Sequence, residues 1–117
     1  MVVVNNMFPR QHRLATKGAL FVAKRGRTLQ GAALRLKWVP ARYPPSRATV
    51  VVGLAFDKRA TRRNRTKRQV REILRPLLPR LREPVGLMVF VNKSAAEKSF
   101  EELKKEAEAL LRNARLL

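Results

Sequence analysis

The chain has 117 residues, 45% of them apolar, which is enough for one globular domain, residues 1–117, with a modest core. It carries 27 Lys and Arg against 8 Asp and Glu, a net charge of +19, and it contains no cysteine. These totals exclude a disulfide framework and thiolate metal ligands, and no apolar run approaches the roughly 20 residues of a membrane-spanning helix. We therefore expect a cytoplasmic protein with a polyanionic partner, because so large a positive charge repels itself in a compact fold.

The positive charge is distributed unevenly along the chain. Residues 1–96 contain 22 basic and 3 acidic side chains, whereas residues 97–117 contain five of each. A surface selected only for solubility mixes the two signs. The asymmetry therefore predicts a docking face for a polyanion beside a neutral C-terminal segment.

The first half of the chain predicts an extension, a helix and two or three strands, two of which have a clear pattern. Residues 1–11 fit no periodic pattern and are predicted to form a flexible N-terminal extension. Residues 16–25 are predicted to form a short helix that ends before Gly26. Residues 34–39 alternate apolar and basic side chains, which is typical of a strand with one basic face. Residues 49–56 are mostly apolar and β-branched, and they predict a central strand.

The second half of the chain predicts a basic helix, a strand and a final helix. An apolar stripe that starts at Val70 gives the basic helix a side to bury, and Pro76 should end this helix. Residues 85–91 are predicted to form another apolar strand. Ser99 and Glu102 have the spacing of a capping box at the start of the final helix. This order of elements predicts an α+β sandwich in which the helices pack on one sheet.

The segment from Lys58 to Arg68 has the densest positive charge, with seven basic residues among eleven and no acid. On a helix that opens near Thr61, the basic side is separate from the apolar stripe, and its guanidinium groups can meet phosphates bidentately. Asn64 adds an amide that can contact a ribose 2′-hydroxyl or a base edge. The candidate RNA-binding residues are Lys58, Arg59, Arg62, Arg63, Asn64, Arg65, Lys67, Arg68, Arg71 and Arg75.

A merely solvated charged face is the alternative interpretation of this segment. Solvated helix faces interleave acidic and basic residues four positions apart, as the final helix does with Glu101 and Lys105. No acid lies between Lys58 and Arg71 to pair with the basic side chains. The composition therefore favours a binding partner.

No group of residues predicts an active site on the chain itself. His12 is the only histidine, and we interpret it as a surface or RNA-contacting residue. Asp57 is a single carboxylate and not a two-metal site, while Glu72 is placed to orient a neighbouring arginine. The acids of the C-terminal segment are interpreted as solvated charges: Glu97, Glu101, Glu102, Glu106 and Glu108. We therefore predict no catalytic residue and no metal ligand in this chain.

Residues 62–72 resemble the arginine-asparagine-arginine motif of the bacterial ribonuclease P protein subunit family. The pattern of that family is Arg-Asn-Arg-x-Lys-Arg, two variable residues, Arg and Glu. Seven positions match in register: Arg63, Asn64, Arg65, Lys67, Arg68, Arg71 and Glu72. The opening Arg13-Leu14, the strand before Lys58 and the segment 89–103 are also similar to the family, so that the resemblance extends from His12 to the C-terminus.

The resemblance implies a fold in the order α-β-β-β-α-β-α with a left-handed βαβ crossover. It also implies that the chain binds a catalytic RNA, the RNA subunit of ribonuclease P, and the 5′ leader of precursor tRNA. In that family the RNA subunit removes the leader with Mg²⁺, which is bound mainly by the RNA subunit and the substrate, and this gives the mature tRNA 5′ end. The protein is then a non-catalytic component of an endoribonuclease, with no membrane and no obligate protein partner implied.

Two departures from the family pattern concern the turn before the motif and the leader cleft. The turn between Lys58-Arg59 and the motif is about three residues shorter than is usual in the family. The family also has two aromatic residues on the first helix and one on the second strand, whereas here only Phe21 is aromatic on that helix and Lys37 lies near the strand position. The resemblance assigns the following residues to the leader cleft: Arg13, Leu20, Phe21, Lys24, Arg35 and Lys37. We therefore expect leader binding to depend more on charge than on base stacking.

Two further interpretations of the charge remain open from the sequence. A structural RNA binder, such as a small ribosomal protein, would have the same composition and a similar fold. A DNA-binding regulator would place the basic helix in a major groove, although the spacing of a helix-turn-helix motif is missing. The motif match favours the ribonuclease P subunit over both.

Overall fold

A computed structural model describes residues 8–117, and its elements follow the predicted order α-β-β-β-α-β-α. The helices and strands are α1 (Thr16–Arg25), β1 (Arg27–Gln30), β2 (Leu34–Pro40), β3 (Arg47–Val52), α2 (Ala60–Leu74), β4 (Val85–Val91) and α3 (Phe100–Asn113). Short 3-10 helices lie at Arg10–His12, Leu78–Arg80 and Lys93–Glu97. Within these described residues, no helix has the length and apolar character needed to cross a bilayer. The α+β class is confirmed.

The four strands form one sheet in the order β1-β2-β4-β3. The β1–β2 and β2–β4 pairs are antiparallel, whereas β3 and β4 are parallel neighbours joined through α2. The left-handed sense of this crossover, which the resemblance implies, stays a prediction.

The prediction of a central strand over residues 49–56 is wrong in both position and extent. β3 ends at Val52, and the chain then turns, with the N–H of Phe56 donating to the carbonyl of Gly53 at 3.1 Å. β3 also lies at the edge of the sheet, where the N–H of Leu14 donates to the carbonyl of Ala48 at 3.1 Å. The β-branched, apolar residues of β3 suit either kind of strand, and its place at the edge is set by the strand order, in which only β4 forms a full ladder with it.

The main core lies between one face of the sheet and the helices α2 and α3. Alternate residues of the strands point to this face, and β2 shows the pattern clearly, since Leu34, Leu36 and Trp38 are buried. The helices contribute Val70, Ile73, Leu74, Leu103, Ala107 and Leu111 to the same cluster. The predicted apolar stripe of α2 is confirmed, α2 ends just before Pro76, and the capping box of Ser99 and Glu102 is present.

Helix α1 packs on the opposite face of the sheet. Val22 is its buried residue, and a Cβ added to Gly86 of β4 would lie 3.4 Å from Val22 Cγ2. The ammonium group of Lys37 donates to the carbonyl of Ala23 near the C-terminal end of α1, where carbonyl groups lack partners within the helix. Because α1 covers only part of this face, the side chains of Arg35 and Phe90 remain accessible.

The N-terminal segment packs against the domain from Phe8 onward. Phe8 is only 4% exposed and belongs to the core, and its carbonyl accepts a hydrogen bond from Arg13 Nε at 2.9 Å. The ring of His12 lies with Nδ1 2.7 Å from the carbonyl oxygen of Ser46. The predicted extension over residues 1–11 therefore differs from the structure at residues 8–11, while residues 1–7 lie outside the described part. A single aromatic residue in a polar stretch forms no periodic pattern, so its burial could not be predicted from the sequence.

Candidate nucleic-acid interface

Helix α2 presents a basic side directly opposite its buried stripe. The buried residues of α2 are Thr66, Val70, Ile73 and Leu74. The residues on the opposite side of the helix therefore point to solvent. The exposed members of the predicted RNA-binding set are Lys58, Arg59, Arg62, Asn64, Arg65 and Arg68, and the half-buried members are Arg63, Lys67, Arg71 and Arg75. The structure therefore gathers the predicted residues on one helix and the turn before it.

Asp57 organises the turn that leads into α2. Its carboxylate accepts hydrogen bonds from the backbone N–H of Arg59 at 2.9 Å and from Arg59 Nε at 3.2 Å, and Arg62 Nε lies 3.9 Å away. These contacts, led by the backbone hydrogen bond, hold the pKa of Asp57 below its usual value. Asp57 is thus a structural anchor of the turn, and among residues 8–117 no three of the His, Cys, Asp and Glu side chains come together as a metal site.

Two of the predicted RNA-binding arginines also contact other groups of the protein. Arg63 donates from Nη1 to the carbonyl oxygens of Asp57 at 3.0 Å and of Lys58 at 2.7 Å, which links the start of α2 to the turn before it. Arg75 Nη1 lies 3.7 Å from Glu72 Oε1, so Glu72 has an arginine neighbour, and its role in orienting that side chain stays a prediction. The turn before α2 is therefore stabilised by a residue of the motif that follows it.

Arg71 and Arg13 converge at the edge of the sheet, beside β3. A pocket of about 170 Å³ there is lined by Phe8, Arg13, Leu14, Ala48, Thr49 and Arg71, without an acidic residue. Partial burial lowers the pKa of Arg71, and the positive charges of Arg13 and Arg68 lower it further. Two like charges are held near each other with no acid between them, which is an arrangement that an anion would relieve.

The residues that the resemblance assigns to the leader cleft are only partly brought together. Leu20 and Phe21 are exposed on α1 by 60% and 56%, and Lys24 is exposed in its last turn. Lys37 and Arg35 point to the face of the sheet that carries α1, although the ammonium group of Lys37 is bound to α1. Arg13 lies elsewhere, because it pairs with the far edge of β3.

Sequence reasoning missed Phe90, which lies on the part of that face beyond α1. Residues 85–91 form a largely buried strand, as predicted, but Phe90 is half-exposed. The guanidinium carbon of Arg35, its partner across β2 and β4, lies 4.4 Å from the centre of the Phe90 ring. Only the strand register could have revealed this pair, because the two residues are 55 positions apart.

Comparison with known proteins identifies the family of this chain. The family model described as Ribonuclease P matches residues 8–115. A ribonuclease P protein component of Synechococcus sp. (strain JA-2-3B'a(2-13)) is 35% identical over 116 residues, which cover 95% of this chain and 87% of that protein. The corresponding protein of Xylella fastidiosa (strain 9a5c) is 36% identical over 106 residues, which cover 90% and 77%.

Solved structures agree with this assignment. The RNase P protein from Thermotoga maritima superposes with a TM-score of 0.77 at 28% identity, covering 86% of this chain and 96% of that one. The RNase P protein of Staphylococcus aureus has a TM-score of 0.78 at 16% identity over 90% of this chain and 96% of that one, a likeness that concerns the fold alone. The chain therefore belongs to the ribonuclease P protein-component family.

Proposed function

We propose that this chain is the protein subunit of a cytoplasmic ribonuclease P. It binds the RNA subunit of the enzyme and the 5′ leader of precursor tRNA, and it assists the Mg²⁺-dependent endonucleolytic removal of the leader that gives mature tRNA 5′ ends. The observation that carries this proposal is the basic side of α2, where Asn64, Arg65 and Arg68 are exposed opposite the buried stripe.

The chemistry of the α2 side suits the backbone of a folded RNA. Each guanidinium group can donate two parallel hydrogen bonds to one phosphate, and each neutralised phosphate releases condensed counterions. The exposed amide of Asn64 can donate to or accept from a 2′-hydroxyl group. This group distinguishes RNA from DNA. The N-terminal end of α2 adds the partial positive charge of its free N–H groups.

The two binding roles are separated by the sheet. Helix α2 packs on one face, whereas Phe21, Lys24 and Arg35 lie on or beside the other face. An RNA subunit held by α2 would leave the second face accessible to a single-stranded leader. In this proposal the protein positions both RNAs and the hydrolysis belongs to the RNA subunit, with Mg²⁺ bound mainly by that subunit and by the substrate.

The decisive experiment is reconstitution. Addition of the chain to a bacterial ribonuclease P RNA is expected to restore cleavage of precursor tRNA at low Mg²⁺ concentration. Arg65→Ala and Arg68→Ala should weaken assembly with the RNA, whereas Arg112→Ala on the exposed side of α3 should not. Cleavage that is unchanged by addition of the wild-type chain would reject the proposal.

The salt dependence of assembly gives a second, quantitative readout. Removal of one phosphate contact should lower the slope of log affinity against log salt by about 0.7–0.9. We expect this change for Arg68→Ala and an unchanged slope for Arg112→Ala. Equal slopes for both variants would place the RNA on another surface.

A further inference from the structure

We propose that Lys98 binds a backbone phosphate of the RNA subunit, in a groove between α2 and the segment of the 3-10 helix Lys93–Glu97. This groove is called the Lys98 groove below. The inference rests on the proposed function and extends the RNA-binding surface beyond α2 and the turn before it. Lys98 belongs to residues 97–117, whose equal numbers of acidic and basic side chains predict a neutral segment outside the docking face.

One flank of α2 forms a wall of the Lys98 groove. The lining residues on α2 recur three or four positions apart, which places them on one flank of the helix: Arg62, Arg65, Thr66 and Gln69. The groove has a volume of about 350 Å³, and its other lining residues are Phe56, Asp57, Ala95, Ala96 and Lys98. Asn64 and Arg68 are not among them, so the groove would give the RNA a second line of contact beside the exposed side of α2.

The Lys98 groove carries more positive than negative charge. Arg62, Arg65 and Lys98 line it with three cations, and Asp57 is the single acid among the lining residues. The carboxylate of Asp57 is already engaged, because it accepts from the backbone N–H of Arg59 at 2.9 Å and from Arg59 Nε at 3.2 Å. The positive charge that remains in the groove attracts an anion.

Two of the three cations have no ion-pair partner in the part of the chain that the structure describes. No carboxylate oxygen lies within ion-pair distance of Arg65 or of Lys98. Lys98 is half-buried, so that its charged side chain is partly shielded from water without a carboxylate to compensate for it. Glu102 lies within the electrostatic reach of Lys98 and of Lys105 alike, at more than ion-pair distance. A phosphate would supply the missing partner.

The side chains of the groove suit a sugar-phosphate backbone better than they suit bases. A guanidinium group donates two parallel hydrogen bonds to a phosphate, and an ammonium group acts on it as a point charge. The half-buried amide of Gln69 can donate to or accept from a ribose 2′-hydroxyl group. Phe56, the one aromatic lining residue, packs against the main core, so its ring is not a free platform for stacking.

The position of the groove favours the RNA subunit over the leader. The groove runs along α2, the helix proposed to hold the RNA subunit, and Arg62 and Arg65 belong to both surfaces. The residues assigned to the leader include Phe21 and Lys24, which lie on α1, on the opposite face of the sheet. One continuous RNA backbone along α2 would therefore reach Lys98 without crossing the sheet.

The test measures the affinity of the full chain for a bacterial ribonuclease P RNA over a range of salt concentrations. Lys98→Ala is expected to weaken binding by about 10-fold or more, the effect of losing one charge-assisted hydrogen bond. The slope of log affinity against log salt should fall by about 0.7–0.9, which corresponds to one phosphate contact. Lys98→Arg should keep most of the affinity, because it keeps a cation that donates to phosphate.

Lys105→Ala is the matched control. It removes the same charge from the chain, and Lys105, like Lys98, acts on Glu102 through its charge, but Lys105 does not line the groove. We expect Lys105→Ala to change the affinity by less than about twofold and to leave the salt slope unchanged. Thermal unfolding of each free variant shows whether the domain is intact.

A second pair of variants adds a negative charge instead of removing a positive one. Gln69→Glu places a carboxylate in the groove with little change in size, and it should weaken RNA binding by at least as much as Lys98→Ala. Asn113→Asp adds the same charge at the exposed end of α3 and should have little effect. This pair tests the groove without altering Lys98 or the start of α3.

The outcomes separate this inference from the proposed function. If Lys98→Ala and Gln69→Glu bind the RNA subunit as the wild type does while Arg68→Ala weakens binding, the Lys98 groove is not a contact and the proposed function stands. Equal weakening by Lys98→Ala and Lys105→Ala would also overturn the inference, because it would indicate a general effect of charge. An effect of Lys98→Ala on precursor tRNA that depends on leader length, with unchanged binding of the RNA subunit, would assign Lys98 to the leader instead. Failure of the wild-type chain to bind the RNA subunit would remove the proposed function and this inference together.

Discussion

Glu106 on α3 accepts a 2.7 Å hydrogen bond from the backbone N–H of Leu34, at the first residue of β2. The same carboxylate oxygen accepts from the N–H of Ala33 at 2.8 Å, and both Ala33 and Leu34 are fully buried. The prediction that Glu106 is a solvated charge is wrong. Glu106 instead joins α3 to the turn between β1 and β2.

Loss of the Glu106 carboxylate should destabilise the domain. Glu106→Ala leaves two buried N–H groups without their acceptor, and each unsatisfied donor costs about 1–3 kcal/mol. We expect the free energy of unfolding in urea to fall by about 2 kcal/mol or more. Glu97→Ala, which removes an exposed carboxylate, should change it by less than about 0.5 kcal/mol. Similar values for the two variants would contradict the structural role of Glu106.

Gly26 is required where α1 meets the sheet. A Cβ at this position would lie 2.5 Å from the carbonyl oxygen of Val22 and 3.2 Å from the backbone nitrogen of Trp38, both rigid backbone atoms. Its φ of −72° is ordinary, so the requirement is the close approach and not the left-handed conformation suggested by its position after a helix. Gly26→Ala should therefore lower the melting temperature of the free protein, by the equivalent of at least about 1 kcal/mol.

Gly53 provides the matched control for this substitution. Its added Cβ would have no neighbour within 4 Å, so Gly53→Ala should be neutral or stabilise the protein by about 0.4–1 kcal/mol through the unfolded state. A melting temperature that fell equally in both variants would mean that α1 does not approach the sheet as closely as the structure shows.

The capping box of α3 should contribute a pH-dependent part of the stability. The backbone N–H of Ser99 donates to Glu102 Oε1 at 2.8 Å, and this bond, first among the causes, holds the pKa of Glu102 below its usual value. A depressed pKa in the folded state gives a contribution that is complete above pH 4.5, the ordinary value, and is lost as the pH falls through the lower folded value.

Glu102→Gln tests this contribution, because the amide oxygen can still accept from Ser99 but cannot ionise. We expect the variant to be less stable than the wild type near neutral pH and equally stable in strong acid, where the wild-type carboxyl group is protonated. Urea midpoints measured across this pH range check the prediction. A stability difference that does not shrink with acidification would show that the ionisation of Glu102 is not its cause.

Arg71 should favour RNA binding at the expense of the stability of the free protein. Its pKa is lowered by partial burial and by the charges of Arg13 and Arg68, so its positive charge is disfavoured in the absence of a partner. Arg71→Gln should leave the free protein as stable as the wild type or more stable, and should weaken RNA affinity with a smaller salt slope. Unfolding in urea and salt-dependent binding measure the two effects, and a destabilised variant with unchanged affinity would refute the idea.

Local patterns in the sequence predict the three helices, β2 and β4, but they misplace β3 and do not locate β1. Helical spacing from Val70 defined the buried stripe of α2, and the pair Ser99 and Glu102 marked the start of α3. The basic residues from Lys58 to Arg75 were assigned to one helix and the turn before it without knowledge of the sheet. These features depend on interactions between residues a few positions apart, so their patterns can be read directly from the chain.

Which elements lie side by side became clear only from the three-dimensional fold. The insertion of β4 between β2 and β3 places Phe90 beside Arg35 and leaves β3 at the edge, and the docking of α3 brings Glu106 to Leu34. Phe8 is buried for the same reason, because it packs in a core formed by residues that are distant from it in the sequence. Contacts of this kind join residues tens of positions apart, and their energies depend on the order of the strands, which no local pattern encodes.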